Sequence, residues 1–194
     1  MVDYGPDVAL IVVDVQNDFA DPKGSLHVEG GEDVVPVANR EIDRARAAGS
    51  LVFYTQDWHP ASTPHFQKDG GIWPVHCVAG SWGAELHPKL KVQGEVIRKG
   101  IGGEDGYSGF TVRDVRSGDE RATELGSRLR DTGVRHVVVL GLATDYCVGA
   151  TARDATEAGW DTTVLKEAIR AVDLHPGDGD RMLSDLVATG VHLN

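Results

Sequence analysis

The stretch VALIVVDV, residues 8–15, decides the fold class of this 194-residue chain. It is a continuous run of aliphatic, mostly β-branched side chains interrupted by one acidic residue, which is typical of a strand buried on both faces. Further strand candidates are SLVFYTQ (50–56), GEVIRKG (94–100), RHVVVLGL (135–142) and WDTTVLKEA (160–168). The pattern predicts a central sheet whose strands are buried on both sides.

Helical patterns lie between these strands. Residues 31–49 place Val34, Ala38 and Ile42 at helical spacing, and Gly49 is a natural C-terminal cap. Further helices are predicted over 120–133, 143–159 and 178–190, and the tail 191–194 reads as a last short strand. Strands that alternate with helices predict an α/β fold. We expect a three-layer α/β/α sandwich around an open, mostly parallel, Rossmann-like sheet, in one domain spanning 1–194.

Composition narrows the classes of function. The net charge is −11 and the sequence pI is about 5.1, which disfavours binding to phosphate backbones or to anionic lipid. The N-terminus has neither a basic region nor a long apolar segment, so we expect a cytoplasmic protein without a membrane span. Its two cysteines, Cys77 and Cys147, are expected to be free thiols in that compartment.

Chemically active residues follow the predicted strands. In open α/β sheets ligands bind beyond the carboxyl ends of the strands. Asp14 follows the first strand, and Asp57 with His59 follows the second. Lys99 ends the third, and the Cys147 segment follows the fourth. Four strand ends therefore present carboxylate, imidazole, ammonium and thiol groups, which predicts a site at this edge of the sheet.

Cys147 has two interpretations. It lies in the predicted first turn of a helix, with Thr144 or Asp145 near the N-cap, and there the helix dipole would lower the pKa of a nucleophilic thiol. The alternative is a small buried side chain that packs the helix on the sheet.

Two further groups complete a thiol-based hypothesis. Asp14 could accept the thiol proton if burial raises its pKa, and otherwise it caps a turn. Lys99 could offset the burial of the Asp14 carboxylate, and otherwise it is a solvated surface lysine.

Asp57 and His59 offer two metal ligands at positions i and i+2, and His65 and His76 follow within the long loop region 57–94. Imidazole nitrogens with a carboxylate suit Zn²⁺, Fe²⁺ or Mn²⁺. The alternative is a set of unrelated loop histidines, because the spacing is not that of a zinc finger.

Six motifs, taken together, resemble those of the nicotinamidases of the isochorismatase-like cysteine hydrolase superfamily. In chain order they are DVQNDF (14–19), QDWHP (56–60), WPVHC (73–77), RKG (98–100), GYSGF (106–110) and GLATDYCV (141–148). The segment GSLHVEGGEDVVPVAN (24–39) is also similar to the family.

The resemblance implies the isochorismatase-like hydrolase fold and a catalytic triad of Asp14, Lys99 and Cys147. It also implies a metal held by Asp57, His59 and His76, with His65 at a position that is a ligand in some members.

The resemblance further implies a substrate pocket and an oxyanion hole. Phe19 and Trp73 fall where the family packs aromatic rings around a pyridine, and Tyr107 is a further pocket candidate. The backbone N–H groups of Ala143 and Cys147 would form the oxyanion hole. A cis peptide bond at Leu142–Ala143 would aim them.

The function implied is hydrolysis of nicotinamide to nicotinate and ammonia through a cysteine thioester, as in NAD salvage. One divalent metal ion would position the pyridine nitrogen. Zn²⁺ is the preferred assignment, and Fe²⁺ or Mn²⁺ are the alternatives. Pyrazinamide and related carboxamides are further substrates commonly used in the family. Members occur as monomers or as larger assemblies, so a homo-oligomer stays open. An alternative within the superfamily is a hydrolase of carbamoyl or ureido amides, and a different class is a noncatalytic metal- or ligand-binding α/β protein.

Overall fold

The computed structural model describes residues 2–194 and is built around a six-stranded parallel sheet with the order β3-β2-β1-β6-β7-β8. The sheet strands are β1 (Val8–Val13), β2 (Leu51–Asp57), β3 (Glu95–Lys99), β6 (His136–Leu142), β7 (Asp161–Arg170) and β8 (His192–Leu193). Two further strands, β4 (Thr111–Arg113) and β5 (Glu120–Ala122), form an antiparallel hairpin. The helices are α1 (Asn17–Ala20), α2 (Gly31–Ala47), α3 (Leu125–Asp131), α4 (Gly149–Glu157) and α5 (Asp178–Ala188).

Both faces of the sheet are covered by apolar layers, as the continuous apolar strands predict. All six residues of β1 are buried, and alternate side chains enter different cores. Leu10 packs in the core that contains Ile42 of α2, whereas Ile11 packs in the core that contains Leu125 of α3 and Ala152 of α4. The three-layer α/β/α prediction is therefore confirmed.

The order of the strands places the predicted site. From β1 the chain builds outward to β2 and β3 on one side, while β6 and β7 lie on the other. The β1–β6 junction is thus the point where the strand order reverses, and ligands bind at such points beyond the carboxyl ends. Asp14 follows β1 there, and Cys147 follows β6.

The predicted helix over 120–133 is wrong in its first part, because the helix begins at Leu125 and Glu120–Ala122 form strand β5. A tight turn before β5 explains the difference. The Asp114 carboxylate accepts hydrogen bonds from the backbone N–H groups of Arg116 and Ser117, which closes the β4–β5 hairpin.

The ends of α2 and β7 lie close to their predicted positions. Gly49 follows the end of α2 with a φ of +79°, as its predicted capping role requires. β7 extends to Arg170, two residues beyond its predicted end. Within residues 2–194, no helix combines the length and apolarity that crossing a bilayer requires.

Gly141 in β6 has a φ of +125°, and a Cβ there would lie 2.0 Å from the carbonyl oxygen of Val13. Gly141→Ala should lower the free energy of unfolding by roughly 2–4 kcal/mol, because both the backbone conformation and the contact with β1 oppose a side chain. Urea unfolding followed by circular dichroism measures this.

Gly133→Ala is the matched control, since Gly133 also has a positive φ of +72° but nothing lies within 4 Å of its added Cβ. It should cost only about 1 kcal/mol. Equal losses for the two variants would show that contact with β1 contributes nothing at Gly141.

Candidate active site

The ammonium group of Lys99 lies at the centre of a buried polar cluster at the carboxyl ends of the strands. Its Nζ is 2.7 Å from Asp14 Oδ2, 2.6 Å from Asp57 Oδ1 and 3.7 Å from Cys147 Sγ. It also donates a hydrogen bond to the carbonyl oxygen of Gly106. The three residues predicted as a triad are therefore brought together, and Lys99 is a buried cation rather than a solvated surface lysine.

Asp14 is fully buried beside this cation, and its Oδ1 accepts a hydrogen bond of 2.6 Å from Thr55 Oγ1. Burial raises the pKa of Asp14 to about 6, although the attraction of Lys99 opposes the shift. The carboxylate thus has the elevated pKa that a proton acceptor for a thiol needs near neutral pH.

Cys147 lies in a π-helical turn, Thr144–Val148, which leads into α4. Thr144 and Asp145 follow the N-cap residue and thus lie near the N-cap, as predicted, but neither side chain caps the turn. Ala143 occupies the cap position, and within residues 2–194 no side chain bonds there. The Asp145 carboxylate instead accepts hydrogen bonds from the backbone N–H groups of Val172 and Asp173, because these unpaired donors after β7 lie within its reach.

The predicted lowering of the Cys147 pKa is wrong. Burial raises the pKa of the Cys147 thiol well above its usual value, the nearby Lys99 ammonium only partly offsets this, and the Asp14 carboxylate adds to the increase. The resting side chain is therefore a thiol, and a base is needed to generate the thiolate.

Three imidazoles form a second cluster beside the first. One ring nitrogen from each of His59, His65 and His76 lies within 4.8 Å of the others. Asp57 Oδ2 adds a carboxylate oxygen 3.7 Å from His59 Nε2 and 3.9 Å from His76 Nε2. His65, at a position that is a ligand only in some members of the family, thus lies in one cluster with His59 and His76.

The hydrogen-bonding state of these rings fits metal ligands. His59 is completely buried, and within the described chain neither of its ring nitrogens has a hydrogen-bond partner. A buried imidazole without partners is costly unless another group satisfies it, and a bound cation would do so. His76 Nδ1 donates to the carbonyl oxygen of Pro74 at 2.8 Å, which leaves its Nε2 free as a donor atom for a metal.

Electrostatics favour the ligand forms of two of these groups. Burial lowers the pKa of His76 to about 4, with Asp57 opposing the shift, so the ring is neutral at pH 7. Burial would raise the pKa of Asp57, but Lys99 and the imidazoles of His59 and His76 outweigh it and hold that pKa well below its usual range. Asp14, Asp57 and Cys147 also lie close together, but the Lys99 ammonium already contacts all three.

A small aromatic cavity joins the two clusters. Phe19, Trp73 and Tyr107 line it together with His65, His76 and Cys147. Trp73 Nε1 donates to Tyr107 Oη at 2.8 Å. The ring of Tyr146, which sequence reasoning missed, packs edge-on against Trp73 with centroids 4.8 Å apart. The cavity therefore has aromatic walls with imidazoles and a thiol facing it.

The turn before Cys147 has the backbone that the resemblance implied. The Leu142–Ala143 peptide bond is cis. The carbonyl oxygen of Ala143 accepts hydrogen bonds from the N–H groups of Tyr146 and Val148, at 3.2 and 3.0 Å. Ala143 and Cys147 both line the aromatic cavity.

Further positioning residues escaped the sequence analysis. The Gln16 side chain donates to the carbonyl oxygen of Asp57 and accepts from the Asp57 N–H, both at 2.8 Å, so it holds the end of β2. Thr55 could have been found, because it lies two residues before Asp57 and therefore on the same face of the strand. Asp105, which contacts His65, lies in a Gly-rich loop without periodicity and gave no signal.

Comparisons with known proteins agree with this geometry. The family model described as the isochorismatase domain matches residues 8–192. A nicotinamidase from Escherichia coli is 37% identical over 97% of this chain and 94% of its own length. A pyrazinamidase of Pyrococcus horikoshii, solved in complex with zinc, has a TM-score of 0.86 and 36% identity, covering 97% of this chain and 99% of its own. PnC1 from L. infantum, solved in complex with nicotinate, has a TM-score of 0.89 and 38% identity, covering 100% and 95%.

Lys99→Met should lower the free energy of unfolding by about 3–5 kcal/mol, because it leaves two buried carboxylates without their cation. Urea unfolding at pH 7 measures this loss. Adding Asp14→Asn should restore part of the lost stability, since one of the uncompensated charges is removed.

Lys91→Met is the matched control, because Lys91 forms an exposed ion pair with Asp43 at 2.5 Å. It should change stability by no more than about 1 kcal/mol. A Lys99→Met variant as stable as this control would contradict the central role of the buried cation.

Proposed function

The chain belongs to the isochorismatase family, and from this premise we propose that it is an amidohydrolase that converts nicotinamide to nicotinate and ammonia. The observation that carries the proposal is the aromatic cavity, which Cys147 and the imidazoles of His65 and His76 line together. A nucleophile and a site for a pyridine nitrogen are the two features that a heteroaromatic carboxamide requires. The relatives named nicotinamidase and the neighbour that holds nicotinate support the same substrate class.

Binding would use the aromatic walls. The pyridine ring would pack among Phe19, Trp73 and Tyr107, whose apolar surfaces suit a flat neutral ring. Packing on several sides would fix the ring and direct its carboxamide carbon toward Cys147.

Asp57, His59, His65 and His76 would hold one divalent metal ion at the other side of the cavity. Zn²⁺ suits a set of imidazole nitrogens with one carboxylate, and Fe²⁺ or Mn²⁺ also suit it. When bound, such an ion supplies a Lewis-acidic position that a pyridine nitrogen can coordinate. The zinc-bound pyrazinamidase neighbour supports the choice of zinc.

The first half of the reaction would form a thioester. Asp14 takes the proton of the Cys147 thiol, and the sulfur attacks the carboxamide carbon. The backbone N–H groups of Ala143 and Cys147 stabilise the oxyanion. The C–N bond then breaks, and Asp14 returns the proton to the departing nitrogen, which leaves as ammonia.

The second half would regenerate the enzyme. Asp14 takes a proton from a water molecule, whose oxygen attacks the thioester carbon. The C–S bond breaks, Asp14 gives the proton taken from water to the departing sulfur, and the acid product loses its remaining proton to solvent and leaves as nicotinate. Lys99 stays protonated throughout, and its positive charge orients Asp14 and stabilises the developing thiolate.

We also propose that the chain is a single domain, that it is cytoplasmic and that its partner is a small molecule. The family match over 8–192 supports a single domain, and the two buried free thiols, Cys77 and Cys147, are consistent with the predicted cytoplasmic location. The net charge of −11 supports a small-molecule substrate rather than nucleic acid or a membrane surface.

Cys147→Ala should reduce ammonia release from nicotinamide by at least about a thousandfold, because it removes the thiol that lines the cavity and would form the thioester. Purified protein with its metal content measured is assayed for nicotinate and ammonia, and rapid acid quenching with mass spectrometry detects the acyl adduct. The adduct should be present in wild type and missing in the variant.

Cys77→Ala is the control, because Cys77 is also buried but lies outside the cavity lining. It should keep ammonia release within a few-fold of wild type. Wild-type turnover by Cys147→Ala would remove the proposed nucleophile. Turnover of ureido or carbamoyl amides but not nicotinamide would favour the alternative hydrolase, and inactivity on all these amides would favour a binding protein.

The pH profile of kcat/KM for nicotinamide should show an acid limb with an apparent pKa near 6. Burial raises the pKa of Asp14 to about 6, and only its ionised form accepts the thiol proton, so the rate falls below that pH. Metal content is measured at each pH so that loss of metal is separated from protonation. A flat profile between about pH 5 and 7 would contradict Asp14 as the base.

A further inference from the structure

We propose that Asp105 is a positioning residue for the metal centre, which orients His65 and directs its free ring nitrogen toward His59 and His76. The inference rests on the metal site of the proposed function and deepens it, because it makes His65 a resident ligand of this chain and gives it an outer partner.

The contact itself is a hydrogen bond from His65 Nδ1 to Asp105 Oδ1. The side chain of His65 is 4% exposed and that of Asp105 is 23% exposed, so solvent reaches the carboxylate more than the ring. Because a carboxylate oxygen only accepts, Nδ1 carries the proton, and in the neutral imidazole Nε2 then keeps its lone pair. This is the tautomer that a histidine needs to bind a metal through Nε2.

The backbone fixes the carboxylate in place. The N–H of Asp105 donates to the carbonyl oxygen of Arg113 at 2.8 Å, and the N–H of Arg113 donates back to Asp105 at 3.0 Å. This pair of bonds ties the loop to strand β4. The β4–β5 hairpin, which otherwise lies outside the central sheet, therefore supports the loop that holds His65.

The histidine is anchored as well. Its backbone N–H donates to Thr63 Oγ1 at 3.2 Å, and its carbonyl oxygen accepts from Trp73 at 3.3 Å. A Cβ on Gly71 would lie 2.2 Å from that carbonyl oxygen, so the neighbouring loop closes tightly over it. With both partners held by their backbones, the contact sets the ring orientation.

The two residues after Asp105 serve the same site. Gly106 accepts a hydrogen bond from Lys99 through its carbonyl oxygen, and Tyr107 accepts one from Trp73 at 2.8 Å. Three successive residues thus contact the imidazole cluster, the buried cation and the aromatic cavity. Asp105, at the first of these positions, is therefore placed to orient the ligand His65, in addition to closing a surface loop.

The test is a double-mutant cycle on zinc affinity, which needs no substrate. Apo protein of wild type, Asp105→Ala, His65→Ala and the double variant is titrated with Zn²⁺ against a chromogenic chelator. Asp105→Ala should weaken zinc binding by about 10–100-fold, the usual effect of losing an outer partner of a ligand. In the His65→Ala background the same change should have no further effect.

Two more variants sharpen the result. Asp105→Asn keeps an acceptor oxygen and should lose less affinity than Asp105→Ala. Asp119→Ala removes an exposed carboxylate from the same hairpin, away from the histidines, and should bind zinc as wild type does. Thermal unfolding of each apo protein checks that the fold is retained.

Unchanged zinc affinity in Asp105→Ala would overturn the inference. So would an equal loss in the His65→Ala background, which would show that Asp105 acts on the loop and not through His65, and so would a wild-type protein that binds no zinc. Failure of the proposed function is distinguishable, because a protein that shows the predicted coupling but releases no ammonia from nicotinamide keeps the metal centre and loses only the reaction.

Discussion

The buried ammonium of Lys99 is the group on which the site depends. It ends β3, yet its contacts are Asp14 after β1, Asp57 at the end of β2, and the Cys147 thiol after β6. Three segments of chain thus meet the one positive charge at the end of β3, in a region closed to solvent. Because two carboxylates and a thiol could not be buried together without a cation, the parallel register of these strands and the chemistry of their ends constrain one another.

The two carboxylates that contact Lys99 have pKa values shifted in opposite directions. Asp57 lies between Lys99 and the imidazoles, and its pKa is held well below the usual range. Asp14 has Lys99 but also full burial and the neighbouring Asp57 charge, and its pKa rises to about 6. One carboxylate therefore stays ionised beside the histidines while the other can exchange a proton with Cys147. Separate roles follow from environment alone, since the two groups are chemically identical.

Much of this was readable in the sequence because parallel strands carry their own signals. Continuous apolar runs identify strands buried on both faces, and the residues after adjacent strands must meet at one edge. The sequence alone therefore places Asp14, Lys99 and Cys147 at one edge of the sheet. Such reasoning fails where tertiary contacts decide. The pKa of Cys147 depends on its depth of burial. The Asp145 carboxylate accepts hydrogen bonds from backbone N–H groups far away in sequence and does not cap the turn.

The hairpin and the loop before it were missed for a related reason. Glu120–Ala122 are as polar as an exposed helical turn, and only their pairing with Thr111–Arg113 makes them a strand. Asp105 lies among glycines, where no periodicity reports which way a side chain points. Such positions can be assigned only once the pairing partner, here Arg113, is known.

Part of the lining of the aromatic cavity comes from chain segments that carry none of the reacting groups. Asp57 and Lys99 end strands of the sheet and Asp14 directly follows one, whereas Leu26 and Val172 reach the cavity from separate connecting segments. Part of the surface that would contact the ring can therefore vary without a change in the reacting groups. A library of variants confined to those connecting segments would test new amide substrates. The contacts of Lys99 with Asp14, Asp57 and Cys147 would stay unchanged in every member.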